Sequence, residues 1–222
     1  MRYLKSLVMV PVALMLCFGQ ALAEEGLPNL AGFTEGLNYQ EITDKLGDVF
    51  GVGFELHMGP PFISMEPEGG ATLALLGGQW SGVCLLVDEN NPMLLLTPNE
   101  PEEATRQYIV GQMQELLDEL SKQFGAYRQI YVGTQPPQGR ANRYRLELPL
   151  DADKTPGQVF ETEGLSEMWV CWDQMSVLIG AEHSDSDRCA LQLIYMPNGG
   201  SLDHTATYIG DVETYQLSAP ND

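Results

Sequence analysis

Residues 99–125 read NEPEEATRQYIVGQMQELLDELSKQFG, and they constrain the rest of the chain. Tyr108, Ile109, Met113, Leu116, Leu117, Leu120 and Phe124 recur at steps of three and four. That is the period of one helix face. Asn99 is a suitable N-cap, since its side-chain oxygen can accept from the unpaired N–H groups of a first turn. Pro101 suits that turn because its missing N–H costs nothing there. Glu100, Glu102 and Glu103 put negative charge at the positive end of the helix dipole. Gly125 tolerates a positive φ and ends the helix. The spacing therefore predicts one long helix, about 99–124.

An apolar stripe of that length needs a surface to cover it. A shorter helix is predicted over 39–50, where Ile42, Leu46, Val49 and Phe50 share a face and Gly51 follows as a cap. Short strands are predicted over 52–58, 62–65, 71–76, 82–88 and 93–96. Gly59-Pro60-Pro61, Gly69-Gly70, Gly77-Gly78 and Asn90-Asn91-Pro92 separate them. Beyond the long helix, strands are predicted over 126–132, 142–148, 168–172, 176–180 and 189–195. Residues 149–164 read as polar and irregular, and 201–222 as a loose tail or an edge strand.

The expected fold is α+β: a mainly antiparallel sheet packed on the long helix, with the shorter N-terminal helix beside it. Ile42-x-Asp44-x-Leu46-xxx-Phe50-Gly51 returns as Leu116-x-Asp118-x-Leu120-xxx-Phe124-Gly125. The alternative is therefore two tandem helix-plus-antiparallel-sheet units, about 38–97 and 115–196.

Residues 1–23 carry Arg2 and Lys5, a short apolar core and an Ala21-Leu22-Ala23 cleavage pattern. They read as a secretory signal peptide, which leaves residues 24–222 as a single domain. A lipoprotein site at Cys17 fits less well, because Leu16 stands where a small residue belongs. The expected product is periplasmic or secreted, with no membrane insertion after cleavage. Without the signal, nine basic residues face 31 acidic ones, a balance of −22. Such a charge repels nucleic acid and anionic lipid. A well-solvated surface is enough to explain it.

Cys84, Cys171 and Cys189 remain after cleavage, and an oxidising compartment favours one pair among them. Cys171–Cys189 is the expected disulfide, because both segments read as strands of one sheet. Cys84 lies in an apolar run and reads as a small hydrophobe.

Motifs for chemistry are sparse. His183, Asp185 and Asp187 alternate, which on a strand puts three metal-ligand types on one face. A polar turn uses the same residues. Asp151 to Thr155 begins like a calcium loop, but Pro156 and Thr162 occupy the sixth and twelfth positions where an EF-hand needs Gly and Glu. No cofactor is expected beyond a weak non-EF calcium site. Ser201, Asp203 and His204 are neighbours in sequence, whereas triad members meet in space. No Gly-x-Ser-x-Gly elbow is present. Arg128, Arg143 and Arg145 belong to the one basic cluster of the chain after cleavage. With Trp80, Trp169 and Trp172 they form a candidate binding surface for an anionic peptide or carboxylate. The expected role is non-catalytic: an exported, acidic protein that binds another envelope protein or peptide. The alternative is a metal-dependent hydrolase or a calcium-responsive module using loop 183–187.

Overall fold

The computed structural model describes residues 36–51, 54–59, 62–75, 78–88, 91–101, 104–134, 142–147, 150, 153–181, 189–210 and 212–213. The elements in order are α1 (Tyr39–Phe50), β1 (Phe54–Gly59), β2 (Phe62–Pro67), β3 (Leu73–Leu75), β4 (Gly78–Asp88), β5 (Asn91–Pro98) and α2 (Arg106–Phe124). Then come β6 (Gln129–Thr134), β7 (Arg143–Glu147), α3 (Pro156–Thr162), β8 (Glu167–Cys171), β9 (Met175–Ala181), β10 (Cys189–Tyr195), α4 (Ser201–Ile209) and β11 (Val212–Glu213). The signal segment lies outside the described residues. No described helix is long and apolar enough to cross a membrane.

The fold is α+β, as the periodicities predict. The strands form one sheet in the order β1-β2-β4-β5-β10-β9-β8-β6-β7-β11, with β3 also pairing β4. Every pairing is antiparallel except the short one between β7 and β11. Each half of the chain supplies a contiguous block of strands. The blocks meet where Leu94, Leu95 and Leu96 of β5 face Tyr195, Ile194 and Leu193 of β10.

The long helix ends at Gly125, whose φ is 78°, but it begins at Arg106 rather than near Asn99. Asn99 is held by the sheet. Its N–H donates to the Gln79 carbonyl at 2.8 Å, and its side-chain oxygen lies 2.8 Å from the Ser81 hydroxyl. Thr105 takes over as the cap, accepting from the Tyr108 N–H at 3.3 Å. Ile109, Val110, Met113, Leu116, Leu117 and Leu120 are buried, whereas Tyr108 is 43% exposed. The stripe is thus rotated slightly from its predicted phase. It packs on a sheet face that also takes Ile42 of α1 and Val159 and Phe160 of α3. Arg106 fastens α2 to that neighbourhood. Its guanidinium lies 4.2 Å from the Phe160 ring centroid and donates to the Leu165 carbonyl at 3.0 Å.

Two helices escape the sequence reading. Over α3, Thr155 and Gln158 form a capping box with Pro156 in the first turn. That signal is present in the sequence but spans only two turns. α4 covers the opposite face of the sheet, over Tyr131, Trp169, Cys171, Ile194 and Met196. Its inward residues include Ser201 and Thr205, both fully buried. Their hydroxyls each lie 2.9 Å from the Ser176 hydroxyl of β9. A helix that buries hydroxyls leaves little apolar period to detect.

The predicted Cys171–Cys189 disulfide is not formed. Opposite β9, Cys171 pairs with Ser176 and Cys189 with Ala181. Those rungs are five residues apart, about 16 Å along a strand. The two cysteines also belong to the clusters on opposite faces of the sheet. A disulfide needs Cα atoms within about 7 Å and Cβ atoms that converge.

Burial pushes the Cys171 thiol up to about 11, while hydrogen bonds from Ser176 and Thr205 pull the other way. The fold therefore favours the neutral thiol. Its contribution is present below the ordinary value of 9.0 and is lost as pH rises towards about 11. Burial also raises Tyr127, Tyr131 and Tyr144, which act in the same direction. Urea midpoints measured between pH 8 and 11 are expected to fall steadily, and to fall less in Cys171→Ala. An equal fall in both would remove Cys171 from the account.

Candidate functional site

The binding residues predicted from sequence are divided by the two-residue period of the sheet. Trp80 and Trp172 are buried in the cluster beneath α2. The Trp172 indole N–H donates to the Gly125 carbonyl at 2.8 Å, and its ring meets Tyr127 edge-on. Trp169 is buried on the opposite face, against α4. The arginines are divided too. Arg128 precedes β6 and pairs with Asp173 at 2.5 Å, both being exposed. Such a surface pair contributes about 1 kcal/mol or less. Arg143 and Arg145 lie on β7, towards the far end of β6. His183, Asp185 and Asp187 lie outside the described residues. Among the described residues, no group of three or more His, Cys, Asp or Glu is placed to hold a metal ion. Ser201 is engaged in the buried hydroxyl cluster.

What the structure does bring together is Asn142, Tyr144 and the predicted Trp169, around the Glu167 carboxylate, which the sequence reading did not single out. One cross-strand row runs Tyr144 (β7), Gly133 (β6), Glu167 (β8), Gly180 (β9). The glycines on either side of Glu167 leave its side chain room to lie across the row. A Cβ on Gly133 would stand 3.0 Å from Cε1 of Tyr144 and 3.2 Å from Cβ of Glu167. With that atom absent, the Tyr144 ring lies over the β6 backbone. Its hydroxyl donates to Oε2 of Glu167 at 2.6 Å. Asn142 donates to the same oxygen at 2.6 Å, and the Trp169 indole donates to Oε1 at 2.8 Å. The Ser166 hydroxyl, 3.0 Å from the Gly133 carbonyl and 3.2 Å from Oδ1 of Asn142, closes the group. Tyr208 of α4, 68% exposed, lies against Trp169 with ring centroids 5.4 Å apart.

Burial, then the bond to Glu167, raises the Tyr144 hydroxyl and keeps it a donor. Three donors on one carboxylate fix its orientation. Through Asn142 and Tyr144 they also fix the start of β7. The other side of the strand is tied as well, because the Arg145 guanidinium bridges Glu147 and Glu163. Those ties leave β7 a stiff strand carrying two arginines in a strongly acidic chain.

On its outer side β7 meets β11. Against β6 all five of its residues are in register. On the other side only Tyr144 and Arg145 have a described partner, Val212 and Glu213, in parallel. The Tyr144 hydroxyl is held by the Glu167 carboxylate, and the Ser166 hydroxyl by the Gly133 carbonyl and Asn142. No family model, curated protein or solved structure matches the chain.

Proposed function

We propose that this is an exported, non-catalytic binding protein that takes an extended segment of another envelope protein or peptide at the edge of β7. One observation carries the reading: β7, fully paired with β6 along its inner side, stands next to the end of the strand order, where the described pairing on its outer side is with Val212 and Glu213 of β11. An unfilled edge offers backbone N–H and C=O groups to an incoming strand. Holding that edge rigid beforehand lowers the entropy lost on binding. The signal-like N-terminus supports a partner met outside the cytoplasm.

The test is site-directed photocrosslinking in the native cell envelope. A photoreactive side chain at Glu147, at the far end of β7, is expected to give one discrete adduct with another protein. The same group at Lys122, 71% exposed on the wet face of α2, is expected to give none. No adduct from either position, with the protein recovered as a monomer, would sink the proposal. Adducts of equal yield from both would mean contact without a site.

A further inference from the structure

We infer that Tyr208 anchors the partner segment, its exposed ring taking a lysine or arginine side chain of that partner. This rests on the reading of a binding protein whose partner meets it at β7, and it adds the chemistry of the grip. The two halves of the chain follow one plan. α1 is followed by the antiparallel run β1-β2-β4-β5, and α2 by the run β6-β8-β9-β10. Both helices end at a glycine of positive φ, 69° at Gly51 and 78° at Gly125. Ile42 and Leu116, which correspond in the sequence echo, are both buried. The first half adds β3 to this plan, between β2 and β4. The second half adds β7 and α3 between β6 and β8, and α4 and β11 after β10. The additions of the second half meet at one corner. β7 reaches Glu167 through Tyr144, α3 is tied to β7 by the pairing of Glu163 with Arg145, and α4 lays Tyr208 on Trp169. Tyr144, raised first by burial and by Glu167, is raised further by Tyr208, so the two tyrosines are neighbours. Parts that the shared plan does not need, gathered at one place, point to a task of the second half that the first does not share.

Tyr208 is the exposed feature of that corner. It is 68% exposed, whereas Trp169 beneath it is 3% exposed, so the ring is backed on one side and open on the other. A ring already held by a neighbour loses little freedom on contact. Tyrosine is also among the residues that most often dominate an interface. Charge selects the occupant. Arg145 is taken up by Glu147 and Glu163, and Arg143 is engaged as well. The three described donors to Glu167 are neutral side chains, and Asp203 of α4 is exposed. The chain as a whole carries 31 acidic residues against 11 basic ones. Such a surface draws cations. The face of a tyrosine ring is a seat for an ammonium or guanidinium group.

The experiment uses the full chain. The probe is a fluorescent undecapeptide of alternating lysine and valine, read by anisotropy at physiological ionic strength. The unsubstituted chain is expected to bind it saturably. Tyr208→Leu should bind it about threefold more weakly, the loss of one exposed cation–π contact. Tyr208→Phe should bind it as the unsubstituted chain does, because phenylalanine keeps the ring face. Tyr108→Leu, at the other exposed tyrosine, is expected to change nothing, which separates a site from general attraction to an acidic surface. Both leucine variants alter exposed residues, so folding is not at stake. Equal loss in the two leucine variants, loss in neither, or no binding at all would overturn the inference. Tighter binding of the same peptide with glutamate in place of lysine would also overturn it, by making the occupant acidic. The Glu147 crosslink keeps the two ideas apart. An adduct from Glu147 whose yield is the same in Tyr208→Leu leaves the binding edge standing and removes Tyr208 from it. Peptide binding that depends on the Tyr208 ring, without any adduct from Glu147, keeps the cation seat and removes the edge.

Discussion

Replacing Leu120 by alanine is expected to destabilise the protein by about 3 kcal/mol, within the range for deleting a buried leucine. Leu120 has no solvent exposure and lies in the middle of the cluster between α2 and the sheet. The change removes the apolar area that the side chain buries. It also leaves a cavity that a helix backed by β9 and β10 cannot close by shifting alone. For a chain of this size the melting temperature should fall by roughly 6–12 °C. Tyr108→Ala, on the same helix, is the control. Tyr108 is part of the stripe when only sequence is read, yet it is 43% exposed. Its loss should change stability by no more than about 0.5 kcal/mol. Urea unfolding of the two variants checks the phase of the helix directly. If Tyr108→Ala were the costlier change, the packing face described above would be wrong.

Glu167→Ala is expected to cost about 2–3 kcal/mol by a different route. The carboxylate accepts from Asn142, Tyr144 and Trp169, all partly or fully buried. Removing it leaves three donors with no acceptor, and an orphaned donor is penalised by roughly 1–3 kcal/mol when buried. The partial exposure of Asn142 and Tyr144 lets water replace some of that, which is why the penalties do not simply add. The loss should be local in its consequence. Deuterium exchange over 143–147 is expected to quicken more than exchange over β9 and β10, because Asn142 and Tyr144 are what hold the start of β7. Crosslinking from Glu147 should weaken with it. A uniform rise in exchange across the whole sheet would show that Glu167 serves global stability alone and has no special part in the β7 edge.

The candidate site was only partly legible beforehand. Arg143 and Arg145 could be singled out because basic residues are scarce in this chain. Trp169 and Trp172 are three positions apart, and an odd separation already points two strand residues to opposite faces. A single groove lined by both was therefore at odds with the predicted strand. Glu167 carried no signal, because its role depends on which strands flank β8. Gly133 and Gly180 matter only once they stand beside it.

Elements whose cause lies within a few neighbouring residues were determined by the sequence itself. The helix Tyr39–Phe50, the body of α2 with its end at Gly125, the strand Cys189–Tyr195 and the α+β class all follow from periodicity and caps. Features that depend on meeting a distant residue were decided by the tertiary structure. Asn99 became a sheet rung because Gln79 and Ser81 reached it first. Ser201 and Thr205 became buried because Ser176 supplied their hydrogen bonds. Cys171 and Cys189 stayed apart because the register set them five rungs apart on opposite faces of the sheet. The place of β7 near the end of the sheet belongs to the same kind, since it follows only from the order in which the strands assemble. Local spacing encodes which residues share a face, and the register between strands decides what that face meets.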